Sequence, residues 1–455
     1  MTVDYEYLQQ LINSGKKIEA LRCAVALMQK GSPSCNLWFE LSMACLEIGE
    51  RDAGMEGLIE SGKQFARTGN LPMALVALRI VEEQKGDSED LKNLIVQLYQ
   101  KGSQRIRHTT MPVPPLPVTI SEKELEAIPL DRNRLIEEAK RVLVATKEAI
   151  NLERSIQEKE PFLPFFPLFS SLQGENFIEL ASCFVPKRFS ANEIIIKQGD
   201  WPDEFYLIAS GEVKIFTHGK AEDSPGKTSQ MSLKHIATLG PGAFIGEMGI
   251  VAKAPRSATV QGVTSGFLLA TPIEKIENLA GKIPEIAEII VAFCEVRLME
   301  NVLSGSAVFL PIEPQKRDSA LEFFDRLFIP AGEVLIQEGE SAKGIYIIVS
   351  GEAAVVKTKV PNINLDEKHS DNPSLIYITT LKSGDVAGEI STIMKKPATA
   401  TVYAITDLSL LFLPANRFLE FTRAYPASFQ KLYEVVALRE EEIQNMLSRN
   451  EILST

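Results

Sequence analysis

The segment Phe-Ile-Gly-Glu-Met-Gly-Ile-Val-Ala-Lys-Ala-Pro-Arg-Ser-Ala-Thr-Val, residues 244–260, sets a carboxylate, Glu247, ahead of a guanidinium, Arg256. Seven residues separate the pair Gly246-Glu247 from Pro255-Arg256-Ser257-Ala258-Thr259-Val260. The spacing leaves room for a short helix whose backbone N–H groups can meet a phosphate. Glu247 can accept from sugar hydroxyls, and Arg256 can fork onto phosphate oxygens. Such a set suits a small anionic nucleotide.

The elements that must hold these residues are present twice. Phe189-Ser190-Ala191-Asn192-Glu193-Ile194-Ile195-Ile196-Lys197-Gln198-Gly199-Asp200 parallels Ile329-Pro330-Ala331-Gly332-Glu333-Val334-Leu335-Ile336-Gln337-Glu338-Gly339-Glu340. Phe205 to Glu212 parallels Ile345 to Glu352, again 140 positions on, and Gly246-Glu247 maps to Gly388-Glu389 two residues further out of step. A duplicated domain, 184–271 and 324–413, with the length difference in a loop, explains the offsets. Each copy reads as about eight short β-branched strands between Gly, Pro and Asp turns, which predicts a jelly-roll barrel. Polar stretches Gly219–Ser229 and Pro361–Pro373 read as surface loops. A helix follows each barrel: Ile283, Ile286, Ile289, Ile290, Phe293 and Val296 mark one apolar stripe, and Phe429, Leu432, Tyr433, Val436, Ile443 and Met446 the other.

With these motifs, residues 165–302 and 310–450 resemble the cyclic nucleotide-binding domain family in tandem, an arrangement similar to that of the regulatory subunits of cyclic-nucleotide-dependent kinases. The resemblance implies that Glu247 accepts from the ribose 2′-hydroxyl and Arg256 holds the phosphate. It also implies that Gly246 and Gly249 permit close backbone approach, and that amides near Met248, Gly249 and Ser257 cap the phosphate. Gly249 replaces the family's usual alanine or serine, which loosens the short helix. A hydroxyl at Ser257 fits both adenine and guanine ligands. On family grounds cyclic AMP is the expected ligand, with cyclic GMP possible. The second copy departs at the decisive place: Gly388-Glu389 is kept, but Pro397-Ala398-Thr399-Ala400-Thr401-Val402 sets Ala398 where Arg256 stands. Losing a charge-assisted phosphate contact costs about 3 kcal/mol, roughly 100-fold in affinity. The second site, Gly388, Glu389, Ala398 and Thr399, therefore reads as degenerate unless Lys395 or Lys396 re-routes an ammonium to it.

Upstream, residues 1–105 show helical periodicity broken at Gly15, Gly31 and Gly49, with later segments near 51–67, 71–85 and 88–101. Ala20 and Gly54 lie 34 positions apart, and Trp38-x-x-Leu41-Ser42 with Gly49 resembles a tetratricopeptide helix, although the third helix pair falls out of phase. A helical-hairpin stack is expected. Pro112, Pro114, Pro115 and Pro117 mark an extended connector, and Glu122 to Lys159 reads as a charged helix with Leu135, Ala139, Val142, Ala149 and Ile156 on one stripe that can pack or pair. The phenylalanine- and proline-rich run 161–169 opens the next domain. The expected organisation is a multidomain α + β chain: 1–105 tetratricopeptide-like helical repeats, 106–160 proline-rich linker and connecting helix, 161–304 the first cyclic nucleotide-binding domain, and 305–455 the second with its C-terminal helix.

Across 455 residues the formal charge of −12 argues against a nucleic-acid surface. No apolar run reaches the roughly 18 residues that span a bilayer. The acidic start, Met1-Thr2-Val3-Asp4-Tyr5-Glu6, is unlike a secretory leader, and five cysteines without a Cys-x-x-Cys pair suggest the cytoplasm rather than a disulfide frame. The four histidines, His108, His218, His235 and His369, show no metal-ligand spacing, and neither a metal nor an enzyme activity is expected. The expected function is a non-enzymatic receptor or adaptor: it binds a cyclic nucleotide in the first barrel and relays this to a protein partner through the N-terminal helices or barrel surfaces, with a homodimer possible. The alternative is a nucleotide-independent scaffold with vestigial sites.

Overall fold

The computed structural model describes residues 2–31, 34–109, 111, 118–156, 160–218, 233–247, 255–358 and 375–452. They fall into two compact units, Met1–Phe293 and Cys294–Thr455.

The first unit opens with six helices, α1 Tyr5–Asn13, α2 Lys17–Lys30, α3 Cys35–Glu47, α4 Arg51–Arg67, α5 Leu71–Glu83 and α6 Glu89–Tyr99. Their starts follow ordinary capping: Asp4 accepts from the Tyr7 N–H, and Asn70 accepts from the Met73 N–H just ahead of Pro72. Helices α2 and α4 begin 34 positions apart, at Lys17 and Arg51, whereas α6 begins 38 after α4, at Glu89, so the repeat drifts out of phase as its spacing predicts. Gly57 lets α3 and α4 touch, since a Cβ there would lie 2.2 Å from Ser42 Oγ.

The charged stretch after the connector is two helices, α7 Glu122–Ala127 and α8 Arg132–Ile156, rather than one. Pro129 cannot continue a helix and disfavours it in the residue before, which accounts for the break. Helix α8 packs back on the stack: Leu135, Ala139, Val142, Leu143 and Ile150 join one core with Leu21, Val25, Trp38 and Leu41. The expected stripe fails at its far end, where Ile156 is 72% exposed and Ile150 is buried. The prolines at 112–117 lie outside the described residues.

The first sandwich comprises β1 Val185–Phe189, β2 Ile194–Ile196, β3 Glu204–Ser210, β4 Val213–His218, β5 Leu233–Leu239, β6 Phe244–Ile245, β7 Thr259–Gly262 and β8 Gly266–Pro272. They form two four-stranded antiparallel sheets, β6-β3-β8-β1 and β2-β7-β4-β5, in jelly-roll order. Phe189, Ile208 and Leu268 of one sheet meet Ile196, Val213 and Val260 of the other in the core. Helices α9 Gly174–Cys183 and α10 Ile273–Lys282 flank it, followed by α11 Pro284–Gly305. In α11 Ile286, Ile290 and Phe293 are buried while Val296 is exposed, so the stripe is narrower than its sequence suggests.

The helical stack lies against the first sandwich. Glu40 of α3, 1% exposed, receives a two-pronged bond from Arg188 of β1, with Nη2 at 2.6 Å from Oε2 and Nη1 at 3.2 Å from Oε1. Gln9 and Tyr5 also donate to Glu40. The Arg188 guanidinium stacks over the Phe267 ring of β8 at 4.3 Å, and Phe267 meets Phe39 edge-on. Helix α5 runs along the same sheet, and Arg79 donates to the Phe184 carbonyl at 3.0 Å.

The second unit repeats the sandwich as β9 Asp325–Ile329, β10 Val334–Ile336, β11 Gly344–Ser350, β12 Ala353–Thr358, β13 Leu375–Leu381, β14 Val386–Ala387, β15 Thr401–Ala404 and β16 Leu408–Pro414, paired as β9-β16-β11-β14 and β10-β15-β12-β13. The first four strands lie 140 positions after their counterparts and the last four 142. The slip therefore falls between β12 and β13, the counterpart of the β4–β5 connection. Both connections, including 219–229 and 361–373, lie outside the described residues. Flanking helices are α12 Arg317–Leu321, α13 Glu389–Met394, α14 Ala415–Ala424 and α15 Pro426–Ile452. Leu432 and Val436 of α15 are buried while Phe429 and Tyr433 are exposed; the side chains of Ile443 and Met446 are not described.

Candidate functional site

In the first sandwich the candidate residues gather where β6 ends and β7 begins. Gly246 follows β6 with φ of +82°, and a Cβ on it would lie 2.8 Å from Arg256 Nη1. Glycine is favoured there by its backbone angle, and a side chain would also press on the movable end of Arg256. Arg256 is held at its own backbone: its N–H donates to Asp200 O at 2.8 Å, and the Gly199 N–H donates to Arg256 O at 2.9 Å. Its guanidinium donates through Nη1 to Gly246 O at 2.8 Å and through Nη2 to Glu204 O. Burial pushes the Arg256 guanidinium below its ordinary pKa, an effect opposed by Tyr206, Asp203, Glu247 and Glu204. Glu247 is 5% exposed and Ser257 is exposed, whereas Met248 and Gly249 lie outside the described residues. Among the described candidates the fold thus brings Gly246, Glu247 and Arg256 together, with Ser257 at the rim.

The second sandwich reproduces the frame without the charge. The Ala398 N–H donates to Glu340 O at 2.8 Å and the Gly339 N–H donates to Ala398 O at 2.9 Å, the same two bonds that fix Arg256. Thr401 Oγ1 accepts from the Glu338 N–H as Thr259 Oγ1 accepts from the Gln198 N–H. Gly388 has φ of +81°, and a Cβ on it would meet Gly344 O at 2.5 Å. Glu389 opens α13 and is 2% exposed. Its carboxylate accepts from Arg439 Nη1 at 2.6 Å, and the same Nη1 donates to Val386 O at 2.6 Å. Thr399 sits on the wall of a cavity of about 650 Å³, part of it open to solvent, that also takes in Glu389, Ala398 and Arg439. Lys395 and Lys396 are exposed and line no part of it, so neither ammonium replaces the missing guanidinium.

Arg439, on α15, belongs to the site although no motif marks it, because it lies beyond the last strand in a helix whose following residues are acidic. The signal was available. Pro284 and Pro426 open the two post-barrel helices 142 positions apart, and the same offset carries Arg297 onto Arg439.

Among the described residues no group of three or more His, Cys, Asp or Glu is placed to hold a metal ion, and no helix is long and apolar enough to cross a membrane.

Comparison with known proteins agrees with this architecture. The description "Cyclic nucleotide-binding domain" matches residues 186–282 and 326–425. The chain is 28% identical over 252 residues to a cAMP-dependent protein kinase regulatory subunit of Aspergillus niger, covering 55% of this chain and 56% of that protein. It is 26% identical over 252 residues to the cAMP-dependent protein kinase type II regulatory subunit of Drosophila melanogaster, covering 55% and 58%. The match thus spans little more than half the length of these relatives. A solved structure of the regulatory domain of Toxoplasma gondii PKA with cAMP is similar at 19% identity and a TM-score of 0.26, covering 61% of this chain and 92% of that one, too distant to carry site geometry across. The chain carries two cyclic nucleotide-binding domains in tandem behind a helical region of about 100 residues. In particular, the pair is homologous to the regulatory subunits of cAMP-dependent protein kinases.

Proposed function

We propose that the chain is a non-enzymatic receptor that binds a cyclic nucleotide in its first domain, cyclic AMP in preference to cyclic GMP, and relays the binding to a protein partner. The observation that carries this reading is the convergence of Gly246, Glu247 and Arg256 on one corner of the first sandwich. Arg256 is a partly desolvated guanidinium that donates to two neutral carbonyls, so an anion that takes their place gains a charge-assisted, two-pronged bond. Glu247, buried beside it, is read as the acceptor of the sugar hydroxyls. The preference for cyclic AMP rests on the names of the relatives. These are subunits of a protein kinase, which makes a kinase the first partner to test.

Relay requires that the ligand favour one arrangement of the protein over another, because it can shift an equilibrium only by its difference in affinity for the two. Helix α11, which follows the first sandwich, is the proposed moving element.

Titration calorimetry of the full chain with cyclic AMP and cyclic GMP, repeated on Arg256→Ala, tests the reading. The expected result is one tight equivalent of cyclic AMP, weakened about 100-fold by the substitution, or roughly 3 kcal/mol. If neither nucleotide binds, or the substitution changes nothing, the nucleotide-independent scaffold is the better account.

A further inference from the structure

The first unit carries a cluster of arginines that the nucleotide site does not use. Arg67 ends α4, and Arg154 lies in the last turn of α8. Arg105 and Arg107 lie two residues apart, where Ile106-Arg107 pairs in parallel with Leu163-Pro164. Arg105 is fully engaged: Nη1 meets Glu160 at 2.6 Å, and Nη2 donates to Arg67 O at 3.2 Å and to Pro161 O at 3.0 Å. The Arg107 guanidinium lies over the Phe162 ring at 4.7 Å. Arg67 and Arg154, by contrast, make no side-chain hydrogen bond or ion pair among the described residues.

Arg67 is half-buried, and burial first, then the Arg154 guanidinium, pushes it below its ordinary pKa. Of the carboxylates that oppose this, Glu60 is paired with Lys63 at 3.1 Å and Glu160 with Arg105. The carbonyl end of α4 offsets part of the repulsion. Two like charges in each other's field still lower stability, so their purpose lies outside the fold. A dianion answers both: a phosphorylated side chain brings a charge of about −1.5 to −2 and three acceptor oxygens, where a carboxylate would neutralise one guanidinium only. Phe162, 61% exposed under Arg107, offers an apolar seat for the residue beside the phosphate. A membrane or nucleic acid would need a broad basic face, which a chain with 60 acidic residues and a charge of −12 does not favour.

We propose that Arg67 and Arg154, with Arg107 and Phe162 beside them, form a docking site for a phosphorylated segment of a protein partner, the phosphate shared by the two unpaired guanidinia and an adjoining apolar residue on the Phe162 ring. The site uses no residue of the nucleotide pocket, so either reading can fail without the other.

The test is fluorescence anisotropy of the full chain with a labelled glycine-serine peptide that carries one phosphoserine followed by phenylalanine, beside the same peptide unphosphorylated. The phosphorylated form is expected to bind at least about 10-fold more tightly. Arg67→Gln and Arg154→Gln should each weaken it about 10-fold and Phe162→Ala about 3-fold, while titration with cyclic AMP stays as in the unaltered chain. Neither arginine side chain has a bond to lose, so both glutamine variants should keep or raise the melting temperature, which a structural role would lower. Vesicles of phosphatidylcholine and phosphatidylserine should sediment without the protein. Equal binding of the two peptides, no binding at millimolar concentration, no loss in either arginine variant, a lowered melting temperature in both, or sedimentation with the vesicles would each overturn the proposal.

Discussion

The two sandwiches share a backbone and differ in what they hang on it. The bonds that pin Arg256 to the 197–200 turn are repeated at Ala398 with distances that agree to a tenth of an ångström, 2.8 and 2.9 Å in both copies. Only the side chain is missing. The difference on the opposite sheet is as large. Arg188 of β1 corresponds, 140 positions on, to Phe328 of β9; the first is clamped to a buried carboxylate, and the second is 64% exposed. A duplicated fold thus keeps its hydrogen-bonded skeleton and diverges where a side chain meets something outside the sandwich.

The largest break in this comparison should come from the clamp. Glu40→Ala leaves Arg188 without its carboxylate and is expected to cost about 3–5 kcal/mol, whereas Phe328→Ala on the second sandwich stays within about 0.5 kcal/mol. Both tryptophans, Trp38 and Trp201, lie in the first unit, so their fluorescence during urea unfolding reads the Glu40 variant, while scanning calorimetry of the whole chain reads the Phe328 variant.

Next in size come the two left-handed glycines. A side chain at such an angle costs about 1–2 kcal/mol by itself. Gly388→Ala adds a collision with a main-chain oxygen, Gly344 O, while Gly246→Ala meets the movable end of Arg256. Gly388→Ala should therefore lower the melting temperature more, and Gly246→Ala should chiefly weaken cyclic AMP binding, a split that scanning calorimetry with and without ligand resolves.

The smallest effect sharpens the contrast through reactivity. Burial pushes the thiols of Cys23 and Cys45 up to about 12, first by desolvation and then by Asp4 and Glu50 respectively. Neutral thiols react slowly, so iodoacetamide at pH 8 should label them only when the helical stack opens. Because the folded-state value is raised, their contribution to stability is present below the ordinary thiol pKa and is lost as pH climbs from there toward about 12. A melt at pH 10.5 should fall below one at pH 8 in the first unit.

Much of this was legible in the chain. Repetition, at an offset of 140 that slips to 142, announces two sandwiches of about eight strands each, because alternating apolar residues and Gly punctuation are local properties. Gly246, Glu247 and Arg256 were legible for the same reason, lying within one short segment. What was not legible is tertiary. Glu40 and Arg188 are 148 positions apart, and nothing near either announces the other. The break at Pro129 splits a helix whose charge pattern reads as continuous, and the apolar stripe of α8 gives Ile156 a burial it does not have. Arg439 falls between the two cases, being visible only when the repeat is followed past the last strand into the helix.

The clamp between Glu40 and Arg188 also bears on where this protein can be cut. A fragment that began at residue 161 would keep Arg188 but lose Glu40, Gln9 and Tyr5, and it would turn the Phe267 ring, 4% exposed in the whole chain, toward water. Such a piece would carry a charge that water had not been meant to reach and a greasy face with no cover, and it would tend to self-associate. Binding measured on it would then report the stickiness of a severed surface as well as the affinity of the pocket.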